Sequence, residues 1–285
     1  MNAIAAARSR DAAARVPFVV GGRAVGSVAR VHLPLLREWR GGHREHSGLQ
    51  VHSDHVALTA HDRDAALGAL NAALRRQGLI RAWRDETFPL LDPTTAQTLA
   101  LMERAATRFW GTLTLGAHAN GYVVGDEGRP AALWIAQRSF SKPTDAGLHD
   151  NLVGGGVAAG QTPYAALLRE AWEEAGLAPS QLQALQPGRV LRLHRDIPEG
   201  LQLEDLHAWD LALPADWQPQ NQDGEVAGFT LMPVEGALAL ALGDTMTVDA
   251  ALVTIDFGLR HALFTPALAA TLSEQMFANA EILMS

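Results

Sequence analysis

The sequence predicts a mixed fold of the α/β or α+β class, a sandwich of sheet and helices preceded by a smaller α+β unit. Its 285 residues are 48% hydrophobic and 19% charged, which is typical of a globular protein with a sizeable core. Strand-like and helical segments are mixed along the chain, and strand-like segments become more frequent after Gly111. We therefore expect an accessory α+β unit over residues 1–111 and a larger unit over residues 112–285 that ends in a helix.

The first unit shows one hairpin pattern and two helical patterns. Alternating alanine and arginine over residues 1–16 predicts a frayed start or a short helix, and Pro17 to Arg30 resembles a hairpin turning at its paired glycines. Apolar residues spaced three and four apart predict a helix over Asp62–Gly78, and Thr95–Phe109 is a second helix candidate. Four histidines lack acidic neighbours at metal-ligand spacing and are interpreted as loop residues: His43, His46, His52 and His55.

The second unit combines many strands with few helices. The predicted helices are Pro163–Ala175 and a tail from Thr265. The predicted strands are Thr112–Leu115, Gly121–Val124, Ala131–Ala136, Arg189–Leu193, Leu206–Leu213 and Gly228–Met232.

Composition excludes several classes of protein. The chain has no cysteine, so it has neither disulfides nor a thiolate metal site. Its longest apolar runs, residues 236–243 and 266–272, are far shorter than the roughly 20 residues of a membrane-spanning helix. The net charge of −8 does not favour nucleic acid, so local cations or a metal must meet any anionic substrate. We expect a cytoplasmic protein without nucleic-acid or membrane partners, and a homodimer stays open.

One helix carries the strongest chemical signal. Thr162 and Pro163 are suited to its first positions and Gly176 to its C-terminal cap. Between these ends, three carboxylates share one helical face because they are spaced i, i+3 and i+4: Glu170, Glu173 and Glu174. Like charges so placed repel, and a hard divalent cation would relieve the repulsion.

Two neighbouring features complete this pattern. Arg169 is positioned to hydrogen-bond and orient one of the carboxylates. The preceding run Gly154-Gly155-Gly156 allows the backbone to approach a ligand closely, so that a carbonyl oxygen can join the metal ligands. Magnesium bound in this way would bridge phosphate oxygens and lower the pKa of an attacking water.

The spacing as a whole resembles the Nudix box, G-x5-E-x7-R-E-U-x-E-E-x-G-U, in which U is a bulky apolar residue. Residues that match in register are Gly155, Arg169, Glu170, Glu173, Glu174, Gly176 and Leu177. Ala171 is a small residue at the first U, and Gln161 stands where the pattern has glutamate. The same loop differs from a phosphate-binding P-loop, because Gln161 replaces the lysine that such a loop requires.

The resemblance extends over most of residues 17–270. Over this range the chain is similar to the Nudix subgroup of the fungal and plant proteins linked to thiamine pyrophosphokinase. In that subgroup a domain of unknown function precedes the hydrolase. Matching blocks include residues 81–89, 102–106, 116–123, 133–160, 223–226 and 254–266. The resemblance implies a Nudix α/β/α sandwich that hydrolyses a diphosphate with Mg²⁺, or with Mn²⁺ as an alternative.

Site residues follow from the resemblance. Glu170, Glu173 and Glu174 would hold the metal together with a carbonyl of Gly154 or Gly155. Arg169 would orient a glutamate of the box. The general base would be Glu225, in a later loop, or Glu174.

Substrate-binding candidates rest on their place in the chain. His118, Asn120 and Tyr122 lie in a strand-like block where polar and stacking contacts could line a pocket. Arg138 and Lys142 could meet a terminal phosphate.

Three functions are compatible with these features. The subgroup implies cleavage of thiamine diphosphate, or of its oxy- and oxo- forms, to the monophosphate and phosphate. The second function is hydrolysis of a nucleoside diphosphate derivative, such as ADP-ribose, a nucleotide sugar or an oxidised nucleotide. A ligand-sensing module without turnover is the third, although three repelling carboxylates serve no purpose in a pure binder.

Overall fold

The computed structural model of the protein describes residues 3–39 and 48–277. Its helices are α1 (Ala3–Ala6), α2 (Leu33–Glu38), α3 (Arg63–Arg76), α4 (Arg104–Trp110), α5 (Pro163–Ala175), α6 (Val234–Leu242), α7 (Val248–Arg260) and α8 (Pro266–Phe277). Its first strands are β1 (Arg15–Val20), β2 (Arg23–Ala29), β3 (Leu49–Val51), β4 (Val56–Leu58), β5 (Thr87–Leu91) and β6 (Thr98–Glu103). The later strands are β7 (Leu113–Val124), β8 (Pro130–Arg138), β9 (His149–Asp150), β10 (Val153–Gly156), β11 (Gln186–Ile197), β12 (Gly200–Leu213) and β13 (Val226–Pro233).

The larger sheet runs in the order β11-β12-β7-β8-β13, with β10 paired to β7 and β9 to β8. The β7–β12 pair is parallel, while the other pairs of this sheet are antiparallel. One face packs its alanines Ala117 and Ala119 against α5. The other face packs Leu133 and Ile135 against α6 and α7. The predicted α/β/α sandwich is therefore confirmed.

The smaller part of the fold has its own sheet, β2-β1-β4-β3, and a separate hairpin of β5 and β6. Its hydrophobic core consists of residues between Val16 and Trp110, and the rings of Phe18 and Trp110 stack at 4.4 Å. The predicted hairpin after Pro17 is confirmed as β1 and β2, and the predicted first long helix as α3. This part of the fold is α+β, as the sequence predicts.

The beginning of the chain packs against the opposite core. Ala3, Ile4 and Ala7 are buried in the same cluster as α7. The carbonyl of Ala7 accepts a hydrogen bond of 2.8 Å from the backbone N–H of His194 in β11. The first described residues are therefore held by the larger sheet.

The helix predicted over Thr95–Phe109 is wrong in its first half. Thr98–Glu103 is strand β6, and only Arg104–Trp110 is helical. Alanine, leucine and methionine favour a helix intrinsically, but pairing with β5 buries Ala100 and Met102 on one face of the hairpin. Tertiary pairing thus overrides the local propensity.

Two further differences concern β7 and α7. The two strands predicted at Thr112–Leu115 and Gly121–Val124 are parts of one strand, β7. Gly116 and Gly121 do not interrupt it; their missing side chains leave room for the side chains of Leu206 and Leu152. Helix α7 is not among the predicted helices, and its residues 250–258 are all buried.

Among the described residues, the model contains no helix that is long and apolar enough to span a membrane. Two of the four loop histidines, His43 and His46, lie outside the described residues. The rings of His52 and His55 stack at 4.2 Å beside the turn between β3 and β4.

Candidate active site

Helix α5 has the ends that the sequence predicts. The side-chain oxygen of Thr162 accepts a 3.1 Å hydrogen bond from the backbone N–H of Ala165, and Pro163 begins the helix. Gly176 ends it in the left-handed conformation, with φ of 70°. The helix therefore presents its carboxylates on a fixed face.

Each of the three box glutamates has a defined partner. Arg169 donates from Nη2 to Glu170 Oε1 at 2.8 Å and from Nη1 to Glu173 Oε2 at 2.6 Å. Glu174 Oε2 accepts a 2.8 Å hydrogen bond from the backbone N–H of Gly154. Glu170 and Glu174 are buried, whereas the Glu173 side chain is 37% exposed. Arg169 thus orients two of the three carboxylates.

Burial makes two of these acids difficult to ionise. Desolvation raises the pKa of Glu170, and the charge of Arg169 opposes that rise without cancelling it. The pKa of Glu174 lies well above its ordinary value because of burial and the adjacent charge of Glu170, which outweigh the hydrogen bond from Gly154. A cation beside this pair would offset the cost of ionising both.

The donor set suits a hard divalent cation, but it is not assembled as a complete ligand sphere. In residues 3–39 and 48–277, no three histidine, aspartate or glutamate side chains converge as a metal site. Arg169 and the Gly154 N–H each bond to a single oxygen of a box glutamate, so each of the three carboxylates keeps a second oxygen that a metal could use. Carboxylate and carbonyl oxygens match the ligands that Mg²⁺ and Mn²⁺ take.

The glycine run before α5 is packed on both sides. A Cβ on Gly155 would lie 2.1 Å from Glu170 Oε1, so this residue must be glycine for the carboxylate to reach the loop. A Cβ on Gly156 would lie 2.7 Å from Cζ of Phe88 and 3.3 Å from Cζ of Arg104. The loop therefore fits between the box helix and the N-terminal part of the chain.

A cleft of about 380 Å³ opens at this junction. Its volume is within the range of small-molecule sites, roughly 300–1,000 Å³. Seven of the residues predicted from the sequence line it: His118, Arg138, Lys142, Gly154, Gly155, Glu170 and Glu225. Arg169, Glu173 and Glu174 are not among the lining residues, although they hold the helix face and the loop behind it.

The cations predicted to meet a phosphate are paired with acids of the same cleft. Arg138 donates from Nη1 to Asp150 Oδ2 at 2.8 Å, and Lys142 forms an ion pair with Glu225. Partial burial by itself would raise the pKa of Glu225, but Lys142, with help from Arg84 and Arg104, lowers it below its ordinary value. Glu225 is therefore an ionised carboxylate facing the cleft.

Asn120 and Tyr122 do not line the cleft, which corrects the pocket role predicted for them. Asn120 Nδ2 donates to Asp210 Oδ1 at 3.1 Å within a buried network. Tyr122 packs its ring 5.4 Å from that of Phe257 in α7. Period-two alternation places both on the same face of β7 as His118, but α7 covers Asn120 and Tyr122 while His118 lines the cleft.

Sequence reasoning missed a buried polar group in the cleft. Gln202 Nε2 donates to Glu204 Oε2 at 2.9 Å and approaches both oxygens of Asp249, at 3.2 and 3.3 Å. Glu204 also accepts from Arg108 at 2.9 Å. Burial, followed by the charge of Glu204, raises the pKa of Asp249. The packing of α4 and α7 against β12 brings these positions together, so spacing in the sequence carries no signal for them.

The N-terminal side of the cleft was also missed. Arg81, Arg84, Arg104 and Arg108 line it. The first three fall within blocks 81–89 and 102–106, whose resemblance carried no chemical role. The one feature that could have indicated them in the sequence is that all four are arginines, a residue type suited to anion recognition.

Comparisons with known proteins agree with this geometry. The NUDIX domain family matches residues 114–249, and a domain of unknown function, DUF4743, matches residues 1–114. Nudix hydrolase 20, chloroplastic, of Arabidopsis thaliana is 33% identical over 88% of this chain and 69% of its own length. Nudix hydrolase 24, chloroplastic, of the same plant is 32% identical over the same shares. A crystal structure from Deinococcus radiodurans has 23% identity and a TM-score of 0.45, covering 59% of this chain and 97% of its own.

Nudix hydrolases generally use divalent metal ions, which matches the carboxylate face of α5. The match to Nudix hydrolase 20 extends over both parts of the chain, since 88% of the chain is aligned. The chain therefore belongs to the Nudix hydrolase family, as a pyrophosphohydrolase with an N-terminal DUF4743 domain.

Proposed function

We propose that the protein is a Mg²⁺-dependent diphosphohydrolase that cleaves thiamine diphosphate, or its damaged oxy- and oxo- forms, to the monophosphate and orthophosphate. The observation that carries the proposal is the cleft in which Glu170 and the glycine run face a row of cations. The thiamine half rests on the subgroup resemblance over the N-terminal blocks and the segment before the box. The size of the cleft is compatible with such a ligand.

Water attacks the terminal phosphorus in the proposed reaction. The bond from that phosphorus to the bridging oxygen breaks, the bridging oxygen leaves on the monophosphate, and the proton of water passes to a base. A bound divalent cation would neutralise phosphate charge and acidify the attacking water. Glu170, Glu173, Glu174 and a carbonyl of Gly154 or Gly155 would hold it. Arg169 keeps the Glu170 and Glu173 carboxylates oriented for that task.

The two candidate bases differ in position. Glu225 lines the cleft, whereas Glu174 is buried against the backbone of Gly154. We favour Glu225 as the base and assign Glu174 to the metal. The ion pair between Lys142 and Glu225 must weaken for this role, because a carboxylate with a lowered pKa is a weak base.

The testing experiment incubates the full chain and Mg²⁺ with thiamine diphosphate, oxythiamine diphosphate, ADP-ribose and nucleoside triphosphates, and identifies products by mass. Parallel reactions contain EDTA or Mn²⁺. Preferential formation of thiamine or oxythiamine monophosphate supports the proposal. Preferential cleavage of ADP-ribose or a nucleotide retains the family chemistry and rejects the thiamine half.

Isotope labelling locates the attack. In ¹⁸O-labelled water, attack at the terminal phosphorus places the label in orthophosphate. Label in the organic monophosphate would mean attack at the inner phosphorus and would contradict the proposed step.

A further inference from the structure

The cleft residues from the N-terminal part of the chain and those from the later part differ in charge. The residues that the N-terminal part contributes are four arginines, Arg81, Arg84, Arg104 and Arg108, together with two alanines, Ala82 and Ala105. The carboxylates that line the cleft all lie at residue 145 or later. The N-terminal wall is therefore cationic, although the whole chain carries a net charge of −8.

Three of these arginines have fixed partners. Arg104 Nη1 donates to Glu86 Oε2 at 2.8 Å, and Arg108 Nη2 to Glu204 Oε2 at 2.9 Å. Arg81 Nε donates to the carbonyl of Gly78 at 3.1 Å. These bonds hold their guanidinium groups in place.

Arg84 is different. Its guanidinium is half-buried, and among the residues that the structure describes no side-chain hydrogen bond or ion pair joins it. Burial, then the nearby positive charge of Arg104, lowers the pKa of Arg84, and the more distant carboxylates of Glu225 and Glu86 oppose this without cancelling it. A partly desolvated cation that has no direct acidic partner gains when an anion joins it.

The backbone around Arg84 is nevertheless fixed. Its N–H donates to Glu103 Oε1 at 3.0 Å, and the same oxygen accepts from the N–H of Ala105 at the start of α4. Three residues later, the carbonyl of Thr87 accepts a 2.9 Å hydrogen bond from Ala159 in the loop that leads to α5. The position of Arg84 is thus linked to the box by backbone contacts.

Arg104 lies still closer to the box. Its Cζ is 3.3 Å from where a Cβ on Gly156 would stand. Its guanidinium also lies 5.3 Å from the ring centroid of Phe88. One arginine thus borders the glycine run, and the other has free donors in the same cleft.

We propose that Arg84, with Arg104 beside it, binds the terminal phosphate of the diphosphate, so that the N-terminal domain supplies part of the active site. The inference rests on the proposed function only in taking a diphosphate ester as the ligand. The guanidinium fork matches two phosphate oxygens, and a cation held by the box glutamates would offset the remaining phosphate charge. Removing Arg84 should weaken diphosphate binding more than it slows the chemical step.

The test measures binding of methylenediphosphonate, a diphosphate analogue that cannot be hydrolysed at its bridge, to the full chain by calorimetry in Mg²⁺. We expect Arg84→Gln to weaken binding about tenfold, with Arg84→Lys intermediate. Arg76→Gln is the matched control, because Arg76 is an exposed arginine of the N-terminal domain that does not line the cleft. It should bind as the unaltered protein does.

Kinetics separate a binding role from a structural one. With a cleaved substrate, Arg84→Gln should raise KM about tenfold and change kcat by less than about threefold. On the unaltered protein, the analogue should also protect Arg84 from phenylglyoxal, read by peptide mass spectrometry. This protection assay does not depend on how well a variant folds.

The outcomes distinguish the two proposals. Unchanged analogue affinity in Arg84→Gln, or no protection of Arg84, overturns the inference even if thiamine diphosphate is cleaved. Weakened affinity and clear protection support it even if no thiamine compound is a substrate, and in that case only the proposed substrate fails.

Discussion

The box helix and the arginine-lined wall face each other across one cleft, yet they differ in how they are encoded. In the box, Arg169, Glu170, Glu173 and Glu174 lie within one helix, so sequence spacing alone determines which face they share. The arginines of the opposite wall reach the cleft only because β5 and α4 pack beside the glycine run. Local geometry can thus be derived from a sequence, whereas geometry made by domain packing cannot.

The largest expected effect tests the box side. Glu173→Gln and Glu174→Gln should each lower kcat/KM by at least about 10²-fold, about 2.7 kcal/mol, because each removes a charge that holds the cation. Steady-state kinetics in Mg²⁺ would measure this, with circular dichroism to confirm the fold. Glu235→Gln, at an exposed site on α6, is the control. Near-normal turnover in both box variants would remove the metal-site assignment.

A smaller effect tests the junction of the two sides. Gly156→Ala should destabilise the fold by about 1–3 kcal/mol and reduce activity, because the added methyl would lie 2.7 Å from the buried Phe88 ring. Chemical denaturation measures the change in the free energy of unfolding. Gly68→Ala, on an exposed position of α3 with open space around it, is the control and should stabilise by about 0.5–1 kcal/mol. A loss no larger than in the control would mean that the two sides are not closely packed there.

The smallest effect tests the electrostatics of the box. The pKa of Glu174 is raised well above its ordinary 4.5, so the native state holds more protons than the unfolded chain between those two values. Stability of the metal-free protein should therefore fall as pH rises through that window. Mg²⁺ needs the ionised carboxylate, so the gain in Tm on adding it should be larger at about pH 8 than at about pH 5.5.

Thermal unfolding with and without Mg²⁺ measures this prediction. One kcal/mol corresponds to a shift of about 2–4 °C for a protein of this size class. Glu174→Gln should stabilise the metal-free protein at high pH and reduce the pH dependence of the Mg²⁺ gain, of which Glu170 retains a part. A gain that is equal at both pH values would contradict the buried-carboxylate explanation.

Sequence-based prediction was accurate where local geometry decides the structure and failed where packing between elements decides it. Residues 163–175 were predicted as a helix to the residue, because Thr162 and Gly176 are strong local signals. Strand β6 and helix α7 are not among the predicted elements; pairing with β5 decides the first, and the second packs most of its length into the core. Asn120 and Tyr122 lie in a block that resembles the family, but only the position of α7 reveals that this helix covers their side chains.

The packing of α1 against α7 has a consequence for synthesis on the ribosome. The N-terminal core is complete once residue 110 has emerged, because its members lie between Val16 and Trp110. Ala3, Ile4 and Ala7 precede that core in the chain but dock on α7, and β12 must also emerge before it can pair with β7. Residues 3–7 thus leave the tunnel before the N-terminal core does, yet they reach their native contacts only after α7 has emerged.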